Sequence, residues 1–317
     1  ERRLRVGWRD YERGERNQVQ HAKYLDPEIL STIGPLDVVA RRVVEGMRIG
    51  MHRSPLRGIS TEFSAYRQYV PGDAIKYIDW KVYSRTNRYY LKQFEAETNF
   101  VANLLVDASE SMTYASGRIT KLEYAKYMAA SLAYMIVDQR DSCGVGLFDG
   151  ELQEYIPPKS TLSVLATISS MMERAKPRPK TNVASVLNEF ANRMSRRGVV
   201  MLFSDLFDSA EEFIKGINHL AFRGQNVVVF HIMDPYELTF PLNGMWKFEG
   251  LENDGELITQ PARVRASYLD ELKKFITGIK TACARNHVDY VLINTATPIE
   301  QVLSGYLLQA AAESQQR

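Results

Sequence analysis

The stretch from Phe100 to Met112 constrains the fold more than any other part of the chain. It begins with a nearly continuous apolar run, Val101–Val106, and changes abruptly to the small oxygen-bearing side chains of Asp107, Ser109 and Ser111. An apolar run of this kind is typical of a strand that is buried on both faces of a parallel sheet. The stretch therefore predicts a central strand of an α/β fold that ends in a polar turn.

Predicted strands and helices alternate through the rest of the chain. Helices are predicted from Leu36, at Lys121–Val137, and near 161–175, 182–196, 209–222, 267–285 and 298–311. Further strands are predicted at 145–148, 152–156, 199–203, 227–233 and 290–293. Because parallel strands are joined by right-handed crossovers, this order predicts an α/β, doubly wound, mostly parallel sheet. The central strand is expected between the 145–148 and 199–203 strands, with 152–156 as a hairpin strand at the sheet edge.

Three regions are predicted from shifts in composition. Residues 1–53 form a charged N-terminal arm followed by helices, and residues 54–98 form a β-rich segment punctuated by glycine and proline. Residues 99–317 form the α/β domain, interrupted by a β-rich insertion at 235–265 that is rich in proline, glycine and aromatic residues. The β-rich pieces are expected to lie outside the main sheet.

Charge and cysteine content exclude several classes of function. The formal net charge of +2 gives no strong attraction to nucleic acid or to an anionic membrane. The two cysteines, Cys143 and Cys283, form no C-x-x-C pair, so neither a zinc site nor a redox motif is indicated. No run of eighteen apolar residues and no signal peptide is visible, which predicts that there is no transmembrane segment.

The polar turn after the central strand lies where open α/β sheets bind their ligands, outside the carboxyl ends of the strands. One carboxylate and two hydroxyls are hard oxygen donors, which suit Mg²⁺, Ca²⁺ or Mn²⁺ and do not suit zinc or copper. Three side chains fill only one face of an Mg²⁺ octahedron, so other turns must contribute ligands. The alternative is that Asp107, Ser109 and Ser111 are ordinary turn and cap residues.

Two further residues complete a recognisable pattern. Thr181 follows a proline-containing loop, and Asp205 follows the predicted 199–203 strand. This order of residues resembles the metal-ion-dependent adhesion site of von Willebrand factor A domains, which have a Rossmann-like fold. The resemblance implies that a divalent cation, Mg²⁺ or else Mn²⁺ or Ca²⁺, is held by Asp107, Ser109, Ser111, Thr181 and Asp205, with Asp205 acting partly through water. One coordination position would be left for a carboxylate from a partner protein.

A second resemblance covers most of the chain. Its residues are Ser54, Arg57-Gly58, Glu62-Phe63, Arg67, Tyr69, Pro71-Gly72-Asp73, Ile78-Asp79-Trp80, Arg85, Asp234-Pro235-Tyr236-Glu237, Phe240-Pro241, Tyr268, Leu303 and Tyr306-Leu307. Together they resemble the bacterial family called domain of unknown function 58, whose members carry a von Willebrand factor A-like region. The family resemblance implies a cytoplasmic protein, and a partner that is a MoxR-type AAA+ ATPase or its client.

The 54–98 segment also places charged residues among aromatic ones. Arg67, Asp73, Asp79, Trp80 and Arg85 belong to this group. Charges in such surroundings are tolerated when they are paired. The group is therefore either an ion-pair network that fixes the segment or a second interaction surface, and the sequence leaves both open.

These features favour a non-enzymatic, metal-dependent protein-interaction module over two other classes of function. A metal-dependent phosphoesterase would need a general base. His231 near the end of the 227–233 strand and Asp234 just after it could approach the site, and a packed histidine is the alternative for His231. No P-loop and no G-x-S-x-G motif is present, which speaks against ATP hydrolysis and against a serine nucleophile. The third class is a structural scaffold that binds no metal.

Overall fold

The structure is a computed structural model whose largest sheet has six strands. It describes residues 36–50, 63–68, 80–86, 88–94, 100–177, 183–194, 197–207, 210–249 and 256–314. The chain divides into two units, one made of Glu1–Pro55 and Val101–Arg317 and the other of Leu56–Phe100. The sheet belongs to the first unit. The N-terminal arm, and the part of the helical region predicted within 1–53 that precedes Leu36, lie outside the described residues.

The strands of this sheet are β3 (Val101–Asp107), β4 (Ser142–Phe148), β5 (Leu152–Lys159), β6 (Val199–Ser204), β7 (Asn226–Met233) and β10 (Asp289–Asn294). They lie in the order β10-β7-β6-β3-β4-β5, and all pairs are parallel except β4 with β5. Strand β3 lies between β6 and β4, and all of its residues are buried. The predicted doubly wound, mostly parallel sheet and its central strand are confirmed, as is the antiparallel edge strand.

The longer helices described in the first unit are α1 (Leu36–Gly50), α3 (Lys121–Asp138), α4 (Ser163–Arg174), α5 (Val183–Arg193), α6 (Ala210–Phe222), α8 (Pro261–Arg285) and α9 (Ile299–Ser314). They pack in two groups, α1 with α3, α4 and α9, and α5 with α6 and α8. In the second group, Phe190, Phe213 and Ile279 pack on Leu105 and Leu202 of the sheet. Because neighbouring side chains of a strand point to opposite faces, the two groups cover the two faces of the sheet.

The start of α3 is fixed by a capping box. Thr120 Oγ1 accepts a hydrogen bond from the Glu123 backbone N–H at 3.0 Å, and the Glu123 carboxylate accepts the Thr120 backbone N–H at 2.9 Å. This arrangement satisfies two of the backbone donors that a helix leaves open at its N-terminus. It places Lys121 at the first position of the helix, just after the polar turn that follows β3.

The second unit contains a two-stranded antiparallel sheet, β1 (Phe63–Gln68) with β2 (Tyr90–Phe94). Between them lies a helix, α2 (Trp80–Thr86), in a segment that the sequence predicted to be β-rich. The spacing of the aromatic residues explains the difference. Trp80 and Tyr83 are three positions apart, which places them on one face of a helix. Their rings pack edge to face, with centroids 6.1 Å apart.

The predicted β-rich insertion at 235–265 is only partly β. It contains one hairpin, β8 (Trp246–Glu249) with β9 (Glu256–Thr259), preceded by the short helix α7 (Pro235–Thr239). Helix α8 begins at Pro261, six positions earlier than the sequence predicted. Proline at the first turn of α7 and α8 is the signal for both starts, because its fixed φ suits that position and its missing N–H costs nothing there.

Among the described helices, none is both long enough and apolar enough to cross a lipid bilayer.

Both cysteines are expected to be chemically inert in the folded protein. Burial raises the pKa of Cys143 and of Cys283 to about 12, so at pH 8 only about one thiol in ten thousand is ionised. We expect no reaction with a disulfide reagent under native conditions and reaction of both thiols after unfolding in guanidinium chloride. Fast native reaction of either thiol would contradict this packing.

Candidate functional site

Asp107 is held rigidly at the end of the central strand. Its side chain is fully buried, Oδ1 accepts the Ser109 backbone N–H at 3.0 Å, and Oδ2 accepts the Ser204 hydroxyl at 2.5 Å. The next residue, Ala108, donates its N–H to the carbonyl of Phe148 at 2.6 Å. Residues at the ends of β4 and β6 therefore fix the position of this carboxylate.

The two serines of the polar turn lie side by side. The oxygens Ser109 Oγ and Ser111 Oγ are 3.0 Å apart, with Ser109 buried and Ser111 partly exposed. A 3₁₀ turn over Glu110–Thr113 carries them, and the fully buried side chain of Met112 anchors that turn in the core. One carboxylate and two adjacent hydroxyls thus occupy the end of β3.

Asp205 lies one residue beyond the end of β6, the neighbour of β3. Its carboxylate is completely buried, and its Oδ2 atom lies 2.8 Å from the Nζ atom of Lys121. The other oxygen, Oδ1, accepts the Phe207 backbone N–H at 3.3 Å. The structure therefore brings Asp107, Ser109, Ser111 and Asp205 to one edge of the sheet, whereas Thr181 lies outside the described residues.

Lys121 is the functional side chain that sequence reasoning missed. Its side chain is 1% exposed, and Nζ lies 2.7 Å from Glu237 Oε1 as well as 2.8 Å from Asp205 Oδ2. The ammonium also lies over the ring of Phe207, 4.9 Å from its centroid, and 5.8 Å from that of Tyr114. A buried ammonium is therefore sandwiched between two carboxylates and faced by two aromatic rings.

The surroundings of this ion pair raise the pKa of both Lys121 and Glu237. Burial alone would lower the pKa of Lys121, but the carboxylates of Asp205 and Glu237 outweigh burial and raise it. Burial raises the pKa of Glu237 even though Lys121 acts against it. Lys121 therefore stays charged near neutral pH and is a permanent cation at this edge.

Helix α7 is tied to the same edge through its cap. Asp234 caps the helix by accepting the Tyr236 N–H at 2.7 Å, and its other oxygen accepts the Ser116 N–H at 2.8 Å. Glu237 completes the capping box by accepting the Asp234 N–H at 2.8 Å. The residue that was a candidate general base, Asp234, is thus engaged in holding two loops together.

His231 is the packed histidine that the sequence left as an alternative. It is fully buried, with Nε2 3.0 Å from the Asp205 carbonyl oxygen and Nδ1 2.6 Å from the Tyr290 hydroxyl. Because a carbonyl can only accept, Nε2 carries the proton. Both ring nitrogens are engaged, so the histidine supports the backbone of Asp205 and is poorly placed to take a proton from a substrate.

The donor set fits a hard cation at Asp107. Within the described ranges, no group of three or more histidine, cysteine, aspartate or glutamate side chains is arranged to hold a metal ion. A cation here would depend on the hydroxyls of Ser109 and Ser111 beside the Asp107 carboxylate. Oxygen donors of this kind suit Mg²⁺, Mn²⁺ or Ca²⁺. The predicted set of metal ligands is therefore compatible with the local chemistry and stays a prediction.

The second group of predicted residues is described only in part. Asp73 and Asp79 lie outside the described residues, and the side chain of Arg67 does too. Trp80 is 57% exposed, and Arg85 is also exposed. The choice between an ion-pair network and an interaction surface stays open.

Comparison with known proteins gives one family and several distant relatives. The family model described as "Protein of unknown function DUF58" matches residues 65–275. Uncharacterized protein Rv1480 of Mycobacterium tuberculosis and Uncharacterized protein Mb1516 of Mycobacterium bovis are each 23% identical over 220 residues, which is 68% of this chain and 68% of each relative.

Solved structures also show similarity at low sequence identity. The hypothetical protein BatB from Bacteroides thetaiotaomicron is 16% identical, with a TM-score of 0.43 over 68% of this chain and 99% of that one. An aerotolerance-related membrane protein from Bacteroides fragilis is 16% identical, with a TM-score of 0.46 over 66% of this chain and 99% of that one. The SpRpn10 VWA domain is 12% identical, with a TM-score of 0.37 over 64% of this chain and 93% of that one.

Proposed function

The chain belongs to the family described as protein of unknown function DUF58, and from this premise we propose that it is a non-enzymatic, metal-dependent protein-interaction module. Its partner is a MoxR-type AAA+ ATPase or a client of that ATPase, and the contact is a partner carboxylate bridged through a divalent cation. The choice of partner rests on the family resemblance of the sequence. The choice of chemistry rests on the carboxyl edge of the sheet.

One observation carries the proposal: two serine hydroxyls 3.0 Å apart beside the fixed carboxylate of Asp107. Neutral oxygens make up most of this donor set, so a bound cation would keep much of its positive charge. Such a cation would supply a coordination position that favours a carboxylate from another protein. A desolvated, charge-assisted contact of this kind can dominate the affinity of a small interface.

The same edge offers little support for hydrolysis. The two candidate bases are His231, whose ring nitrogens contact Asp205 and Tyr290, and Asp234, which caps α7. Both side chains are thus engaged in hydrogen bonds within the protein. We therefore expect the purified protein to show no turnover of a chromogenic phosphoester with Mg²⁺ or Mn²⁺ present.

The serine hydroxyls are the sharpest test of the metal site. We expect Ser109→Ala together with Ser111→Ala to abolish binding of Mn²⁺ and Mg²⁺, measured by calorimetry, because the variant loses two of the proposed ligand oxygens. The fold should survive, since the changes are at a turn and open little core volume. Retention of wild-type affinity would mean that these serines are not ligands.

A second hydroxyl pair gives a matched control. Ser163 Oγ lies 3.1 Å from Thr161 Oγ1, and the two residues are also two positions apart. They follow β5, which is antiparallel to β4 and therefore ends at the opposite edge of the sheet. Thr161→Ala with Ser163→Ala removes the same number of oxygens and should leave metal binding unchanged. If both double variants lost binding equally, the loss would reflect general destabilisation.

A further inference from the structure

Lys121 is the side chain at this edge that the proposed function does not use. A lysine with 1% exposure is unusual, because charged residues are rarely buried unless they are paired. Here the ammonium contacts two carboxylates from distant parts of the chain, 84 and 116 positions away. These long sequence separations mean that both contacts are tertiary and form only when the domain is folded.

The ammonium is fixed from several sides. The capping box at Thr120 sets the start of α3, and Glu237 is held in turn by the backbone N–H of Asp234 at 2.8 Å. The Phe207 ring closes over Nζ at 4.9 Å from its centroid. Withdrawal of the ammonium would leave two buried carboxylates without a counter-charge, which is strongly unfavourable.

This pairing changes the role of Asp205. The resemblance to a metal-ion-dependent adhesion site makes Asp205 a ligand of the cation, either directly or through water. In the structure its Oδ2 atom already contacts the Lys121 ammonium at 2.8 Å. A divalent cation bound to the same carboxylate would repel that ammonium at close range, so the two cations compete for Asp205.

We propose that Lys121 determines where a divalent cation binds at this edge. By pairing with the Asp205 carboxylate, it confines the cation to Asp107, Ser109 and Ser111. This inference rests on the proposed function and specifies it further. With Asp205 neutralised, the cation has one protein carboxylate as ligand, which leaves it electrophilic toward a carboxylate of the partner. Lys121 is thus a positioning and specificity residue and does not itself contact the metal.

The first test compares two conservative aspartate variants by calorimetric titration with Mn²⁺. Asp107→Asn removes the charge of the proposed ligand and should eliminate detectable binding. Asp205→Asn should weaken Mn²⁺ binding far less, because the carboxylate it removes is engaged by Lys121. A loss with Asp205→Asn as large as that with Asp107→Asn would make Asp205 a direct ligand and would overturn the inference.

The second test frees Asp205. Lys121→Gln should tighten Mn²⁺ binding by about ten- to a hundredfold, the range over which groups next to metal ligands act. It should also make the melting temperature more dependent on Mn²⁺ than in the wild type. Adding Asp205→Asn to Lys121→Gln should cancel the gain, since the carboxylate responsible is gone. Unchanged or weaker binding by Lys121→Gln would contradict the inference.

Lys126 provides the matched control on the same helix. It is partly buried near Glu123 and Glu173 and contacts neither Asp205 nor Glu237 in the pairs described. Lys126→Gln removes an equal charge and should leave Mn²⁺ affinity unchanged. If Lys121→Gln does not fold, the comparison of the two aspartate variants decides alone. Wild-type binding by Asp107→Asn would refute the metal site itself, which separates failure of the proposed function from failure of this inference.

Discussion

Replacing Lys121 with methionine is expected to lower the free energy of unfolding by about 3–5 kcal/mol, the usual cost of removing one partner from a buried ion pair. Methionine fills a similar volume, so little of the loss would come from a cavity. The loss arises because Asp205 and Glu237 remain buried, 0% and 14% exposed, without the ammonium that neutralises them. Urea unfolding of the metal-free protein measures this free energy directly.

Two further variants identify the cause of that loss. Lys215 forms an ion pair of 2.5 Å with Glu212 on the surface of α6, where both side chains are well exposed. Exposed pairs contribute little, so Lys215→Met should leave the unfolding midpoint unchanged. Adding Asp205→Asn and Glu237→Gln to Lys121→Met removes both unpaired charges and should restore much of the lost stability. If Lys121→Met unfolded at the same urea concentration as the wild type, the ion pairs of Lys121 with Asp205 and Glu237 would not contribute to stability.

The architecture was predictable because buried parallel strands leave a strong signal. Strand β3 is buried on both faces, and its sequence is correspondingly apolar from Val101 to Val106 apart from Asn103. The tolerated exception is Asn103, whose Oδ1 accepts a hydrogen bond from the Tyr155 hydroxyl at 2.9 Å. The polar residues that follow the run mark the carboxyl edge, so the position of the candidate site followed from the same pattern.

The burial of Lys121 could not be derived in the same way. One partner, Asp205, follows β6 and the other, Glu237, lies in α7 after β7, and only the finished sheet brings them together. A lysine in the first turn of a helix ordinarily faces solvent. One signal was nevertheless present: Lys121 lies four, seven and eleven positions before Ala125, Met128 and Leu132, all of them buried. It therefore shares the inward stripe of α3.

The errors in the additional segments have local causes. The aromatic residues of 54–98 suggested β structure, but β-propensity reflects the packing of such side chains more than an intrinsic backbone preference. Helix α2 begins instead at Trp80, and Tyr83 stacks on Tyr89 at 4.5 Å. The three-position spacing of Trp80 and Tyr83 was a better guide to this segment than its composition.

Replacing Asp107 with alanine is expected to weaken metal-dependent binding of a MoxR-type AAA+ ATPase by at least about thirtyfold, since truncating one member of a buried charge contact costs about 2–5 kcal/mol. The variant removes the carboxylate that accepts the Ser109 backbone N–H in the turn that carries the Ser109 and Ser111 hydroxyls. Chelation of the cation with EDTA should weaken the wild-type complex to the same extent. Binding is measured by pulldown and by interferometry, with Mg²⁺ and with EDTA.

Applying EDTA to the Asp107→Ala variant tests whether the chelator and the substitution act on the same ion. EDTA should have almost no further effect on the Asp107→Ala protein, because the variant and the chelator act on one ion. Asp289→Ala, at the exposed amino end of β10, removes a carboxylate from the opposite edge and should bind like the wild type. A thermal melt of each variant excludes loss of fold as the cause. If EDTA and Asp107→Ala both left ATPase binding unchanged, the cation would not bridge the complex, and the exposed Trp80 and Arg85 would mark the better candidate surface.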